Sequence, residues 1–195
     1  MKRKLKSMLA VALCAVGLSA FAEEPDAVQL WKDGPYFATC NVGADTPEGY
    51  GILTNFNDAA QAVTDALGAD WHLPTAEEFT NLLNNCEKSW ETCKDSTGAD
   101  INGYRFTGKG DYSSNSIFLP AAGVGNGNGR KWAGEQGNYW SSTEKESGGA
   151  WCLYFYEGSA NVYNNVRSDY MSVRAVRDTP PPPPVVAQFV KGGEV

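Results

Sequence analysis

The sequence predicts an α+β domain, two helices packed on a loop-rich, mainly antiparallel sheet. Two capped helical segments lie early, between residues 57 and 85. From there to residue 177, apolar residues occur in short runs broken by Gly, Asn, Ser and Asp, the mark of short strands and turns. At 195 residues the chain has the length of one ordinary domain.

Residues 1–22 are read as a signal peptide. Lys2, Arg3, Lys4 and Lys6 form a basic start, Met8–Leu18 is a short apolar run, and Ala20-Phe21-Ala22 is a small-x-small cleavage site. The expected location is therefore exported: secreted, periplasmic or cell surface. The apolar run is shorter than the roughly 20 residues a spanning helix needs, so no transmembrane segment is expected in the mature chain. Removing the signal takes away four positive charges and no negative ones, which moves the formal balance from −7 to −11. So acidic a chain argues against nucleic acid as a partner.

After a lead-in over 23–29, the domain is expected to run from 30 to 178. Asp33-Gly34-Pro35 is a turn signal, and Tyr36–Val42 is apolar enough for a strand. Residues 57–67 carry Ala59, Val63, Ala66 and Leu67 at helical spacing, with Asn57 or Asp58 as cap and Gly68 as stop. Thr75 and Glu78 form a capping box for a second helix that buries Phe79, Leu82 and Leu83. Gly103–Thr107 and Ser116–Pro120 are candidate strands. Residues 123–137 form a long loop with six glycines, which Trp132 is expected to anchor to the core. Ala150–Tyr156, Ala160–Tyr163 and Met171–Val176 complete the strands, with Leu153 and Phe155 on one face of the first and Cys152, Tyr154 and Tyr156 on the other. Pro180–Pro184, within a spacer over 179–184, ends the domain as extended polyproline, and 185–195 is a tail.

Beyond the signal, four cysteines remain: Cys40, Cys86, Cys93 and Cys152. An even count in an exported chain predicts two disulfides, and a local Cys86–Cys93 bridge is one of the possible pairings. Their spacing forms no close C-x-x-C pairs, and His72 is the single histidine, so no metal is expected.

Five motifs occur in order: F-A-T-C-N-V-G-A (37–44), W-H-L-P-T-A-E-E-F (71–79), N-S-I-F-L-P-A-A-G (115–123), Y-W-S-S-T (139–143) and S-V-R-A-V-R (172–177). Together they resemble the Fibrobacter succinogenes major paralogous domain of exported bacterial proteins. The resemblance covers about residues 30–178 and implies a C-type-lectin-like fold, distantly related to formylglycine-generating enzymes. The stretch between Gly51 and Asp70 is short for that family. The resemblance implies no single function, because one fold hosts many.

The residues also weigh the candidate chemistries. Formylglycine-generating enzymes use a pair of cysteines near the C-terminal end with copper. Here Cys152 has no second cysteine after it, which favours a disulfide role. A hydrolase needs a base within reach of a nucleophile, yet His72 reads as a packing residue before a helix, and Glu78 is taken by the capping box. Calcium-dependent lectins carry E-P-N or Q-P-D and then W-N-D, where this chain has Y-W-S-S-T. The expectation is therefore a non-catalytic module without cofactor.

Recognition chemistry concentrates late in the chain. Asn161, Tyr163, Asn164, Asn165, Arg167, Asp169 and Tyr170 are residue types that recognition surfaces use, Tyr for rigid amphipathic area and Asn for adaptable hydrogen bonds. With Trp132, Tyr154 and Tyr156 they make up the expected binding face for a glycan or protein ligand. Residues 161–170 also resemble the diversified segment of retroelement-driven variable proteins. A formylglycine-generating-like oxidoreductase and a structural surface component stand as alternatives.

Overall fold

The computed structural model describes residues 26–126, 129–146 and 148–182. The signal peptide, residues 23–25 of the lead-in, the last spacer residues and the tail lie outside the described residues.

The chain is α+β and mostly β. In order it forms β1 (Ala27–Gln29), β2 (Tyr36–Ala38), α1 (Phe56–Leu67), α2 (Ala76–Asn85), β3 (Glu87–Lys94), β4 (Asp100–Thr107), β5 (Ser116–Pro120), β6 (Val124–Gly125), β7 (Arg130–Lys131), β8 (Gln136–Glu144), β9 (Gly149–Tyr156), β10 (Ser159–Val166) and β11 (Val176–Arg177). The strands assemble as β1-β2-β11, β10-β9-β8, β3-β4-β5 and the hairpin β6-β7, and all these pairs are antiparallel.

The first sheet joins the two ends of the domain, since Val176 pairs with Phe37 and Arg177 with Tyr36. Neighbouring residues then point to opposite sides of the strands, as a two-residue period requires. Phe37, Tyr139, Leu153, Phe155 and Val176 enter one apolar cluster with Phe79 and Leu82 of α2. Ala38, Trp140, Cys152 and Ala175 enter a second with Ala59 and Val63 of α1. The dipeptides Phe37-Ala38, Tyr139-Trp140, Cys152-Leu153 and Ala175-Val176 thus straddle two cores. This places Leu153 and Phe155 opposite Cys152, Tyr154 and Tyr156, as the alternation predicts.

The helices form for the local reasons read from the sequence. Thr75 Oγ1 accepts from the Glu78 amide at 3.1 Å, and the Thr75 amide donates to Glu78 Oε2 at 2.6 Å, closing the capping box. The cap of α1 is Asn55 rather than Asn57 or Asp58. Its side chain accepts from the amides of both, because the extended backbone at Asn55 leaves its carboxamide over the first turn. Gly68 ends α1 with φ +90°.

Several expected strands change. Tyr36–Val42 shortens to β2, after which the Asn41 and Val42 region turns inward and bonds Val173 and Ile52. Met171–Val176 is an irregular ribbon instead of one strand. Met171 bridges Thr54, Ser172 bridges Tyr139, and only Val176–Arg177 forms a ladder. Each residue here serves a different neighbour, so no single partner strand sets a register. The 123–137 loop is a closed excursion. Gly123 and Gly137 bridge its base, and β6-β7 lies within it.

The predicted disulfides are absent: Cys40, Cys86, Cys93 and Cys152 are all free. Cys86 lies in the first core and Cys152 in the second. Cys86 immediately precedes β3, and Cys93 lies near the far end of that extended strand. Seven residues of strand separate their Cα atoms by roughly 23 Å, several times the span of a disulfide.

Candidate functional site

A cleft of about 460 Å³ opens where β3, β4, the start of β8 and the β9–β10 turn meet, lined by Trp90, Asn102, Gly134, Glu135, Gln136, Tyr154, Tyr156 and Glu157. Its geometry follows from strand register. Gln136 pairs with Tyr156 and Asn138 with Tyr154, so the two tyrosines stand on one face beside Gln136. Their ring centroids lie 5.8 Å apart. The Tyr154 hydroxyl donates to Gln136 Oε1 at 3.4 Å.

The opposite wall comes from β3 and β4. Trp90 meets Tyr104 edge-on at 5.4 Å and Phe155 at 6.4 Å, so the first core fixes the indole. Asn102 accepts from Thr92 Oγ1 at 2.8 Å and donates to the Gly134 carbonyl at 3.0 Å, holding the β7–β8 turn at the rim. Tyr156 is 46% exposed. Glu135 and Glu157 are exposed at the edge, and no Lys or Arg among the described residues lines the cleft. The combination of flat aromatic faces, amides and carboxylates suits a molecule with apolar faces and a polar rim.

The structure divides the expected binding residues. Tyr154 and Tyr156 line the cleft, and Asn161 pairs with Tyr154 on β10, where its amide bonds Ser159 Oγ at 2.9 Å. Tyr163 is 60% exposed on the same strand, opposite Cys152. Asn164 and Arg167 make ties within the chain. Asn164 accepts from Lys145 at 2.9 Å, while Arg167 pairs with Glu144 at 2.9 Å and covers the Phe56 ring at 5.1 Å. Asn165 accepts from the amide of Val166, and the amide of Asp169 closes a turn onto the Val166 carbonyl. Tyr170 lies elsewhere, paired with Gly125 and lining a cleft of about 370 Å³ with Leu53, Gly129 and Arg130.

Trp132 does not anchor its loop. It is 54% exposed with φ +55°, because it occupies the tight turn whose carbonyl accepts from the amides of Glu135 and Gln136. Sequence reasoning missed Trp90, Asn102, Glu135, Gln136 and Glu157. Period-two alternation through Trp90 was the available signal, but Glu, Lys and Thr around it obscured the strand.

The two arginines of the final motif are held differently. Arg174 is fully buried and meets no carboxylate among the described residues. Its three donors reach Asn41 Oδ1 at 3.0 Å and the carbonyls of Ala38 at 3.1 Å and Phe118 at 3.0 Å. Burial lowers its pKa to about 10. Arg177 covers Trp71 at 5.3 Å and reaches Asp70 at 3.6 Å. Among the described residues no group of three or more His, Cys, Asp or Glu is placed to hold a metal ion. No helix among them is long and apolar enough to cross a membrane.

The chain matches the Lcl C-terminal domain family over residues 30–177 and belongs to it. No curated protein and no solved structure matches the chain.

Proposed function

We propose that this Lcl C-terminal domain protein is an exported, non-catalytic binding module that takes a carbohydrate in the Trp90–Tyr154–Tyr156 cleft. One observation carries the reading: three aromatic side chains share a cleft with the amides of Asn102 and Gln136. Sugar rings stack their apolar faces on aromatic rings and offer hydroxyls to amides. The basic start and cleavage site of residues 1–22 support export. The five ordered motifs support a C-type-lectin-like fold of the Fibrobacter paralogous type.

The buried state of Cys152 supports a non-catalytic reading over a formylglycine-generating-like one. Burial pushes its thiol up to about 12, and a thiolate is the form that reacts.

A broad glycan array, probed with the purified protein in calcium and in chelator, tests the proposal. The expected result is binding in both lanes. Tyr156→Ala is expected to weaken it about tenfold, the loss of about 1.4 kcal/mol of apolar contact, with the unfolding transition unchanged. A folded protein that binds no glycan overturns the reading, and binding lost in chelator overturns its metal-free form.

A further inference from the structure

We infer that the cleft selects sugars that carry a free amine, as in unacetylated hexosamine units. This rests on the carbohydrate reading above and adds the charge of the ligand to it.

The cleft carries two carboxylates, Glu135 and Glu157, and no cationic side chain among the described residues lines it. Glu135 lies in the β7–β8 turn, beside the carbonyl that Asn102 holds. Glu157 is in the two-residue turn between Tyr156 and Ser159, which closes the β9–β10 hairpin. Neither takes part in an ion pair among the described residues, in contrast to Glu91 and Glu144, which pair with Arg105 and Arg167. The two acidic groups thus flank the aromatic rings without cations of their own.

Ring faces reinforce that polarity. Trp and Tyr present negative electrostatic faces that attract an ammonium group within about 6 Å of the centroid. Trp90 and the two tyrosines therefore favour the same sign of ligand charge as the glutamates. The acidic balance of the chain, −7 with residues 1–22 and −11 without them, repels anionic ligands from a distance as well. A sulfated or uronic sugar meets repulsion here. A neutral sugar gains the stacking but leaves the carboxylates solvated. A hexosamine with a free amine gains both the stacking and the ion pair.

Titration calorimetry of the full protein with a glucosamine hexamer and an N-acetylglucosamine hexamer tests this at about pH 5.5, where the sugar amine is protonated. The glucosamine hexamer is expected to bind about tenfold tighter, and the preference is expected to shrink as salt rises. In the double variant Glu135→Gln/Glu157→Gln the two hexamers are expected to bind within about twofold of each other. Equal binding of both hexamers by the native protein overturns the amine selectivity and leaves the carbohydrate reading intact. A preference that survives in the double variant overturns it too, since attraction to the chain as a whole then explains the result. Absence of binding to any glycan, with folding intact, overturns both.

Discussion

Arg174 Nε donates to Asn41 Oδ1 at 3.0 Å, joining residues 133 positions apart in a site sealed from solvent. Asn41 also donates to the Tyr139 hydroxyl at 3.2 Å, and that hydroxyl donates to the Pro120 carbonyl at 2.7 Å. One guanidinium and one phenol thus tie the final ribbon to β2, β5 and β8. Two of the motifs that mark the chain, around Asn41 and Arg174, are two sides of this one network.

Arg174→Met keeps much of the volume and removes the donors. Three buried acceptors then lose a partner, at about 1–3 kcal/mol each, so at least about 3 kcal/mol of stability is expected to go. Urea unfolding checks this. Arg174→Lys is expected to fall between, because a single ammonium cannot span the positions a planar fork reaches.

What the sequence disclosed and what it hid follow from the range of the interactions. Thr75 and Glu78 are three residues apart, so their capping box was legible locally. The alternation of Leu153 and Phe155 against Cys152 is likewise a property of one strand. Arg174 was not legible, since two of its three partners are backbone carbonyls that any residue supplies and the third, Asn41, lies 133 positions away. The cleft was half legible. Tyr154 and Tyr156 declared themselves, but Trp90 joins them only where the β3-β4-β5 sheet packs against the β10-β9-β8 sheet. The cysteine count misled because parity says nothing of distance, and β3 carries Cys93 away from Cys86.

The free cysteines differ in access. Cys40 and Cys93 are half-buried, and Cys86 and Cys152 buried. Native protein exposed to a maleimide is expected to label Cys40 and Cys93 first, with Cys86 and Cys152 following only through unfolding, as peptide mapping reads out. Two pairs of blocked cysteines contradict the structure.

Burial raises three acids: Cys86 to about 11, Cys152 to about 12 and Tyr139 to about 12. Their ordinary values are 9.0 for the thiols and 10.0 for the phenol. The folded state therefore holds these protons more tightly than the unfolded chain. Their contribution is intact below about pH 9 and is lost as pH rises through the folded values. Arg174, lowered to about 10, opposes this from that pH upward. Stability is thus expected to fall between about pH 9 and 10, chiefly through the thiols. Cys152→Ala is expected to flatten that slope in thermal melts followed against pH.

Gly137 faces Phe155 across β8 and β9, and a Cβ there would run into the Phe155 ring. The ring cannot withdraw, because it is fully buried against Tyr104, Tyr139 and Trp90. Gly137→Ala is therefore expected to cost about 1–3 kcal/mol, the range for overpacking a filled core. A double-mutant cycle isolates the clash. Phe155→Ala alone is expected to cost about 3–5 kcal/mol by leaving a cavity. In that background the added methyl enters the vacated space, so Gly137→Ala is expected to cost less, by roughly 1 kcal/mol or more. Additive costs would mean that the strain at residue 137 is relieved against some neighbour other than Phe155.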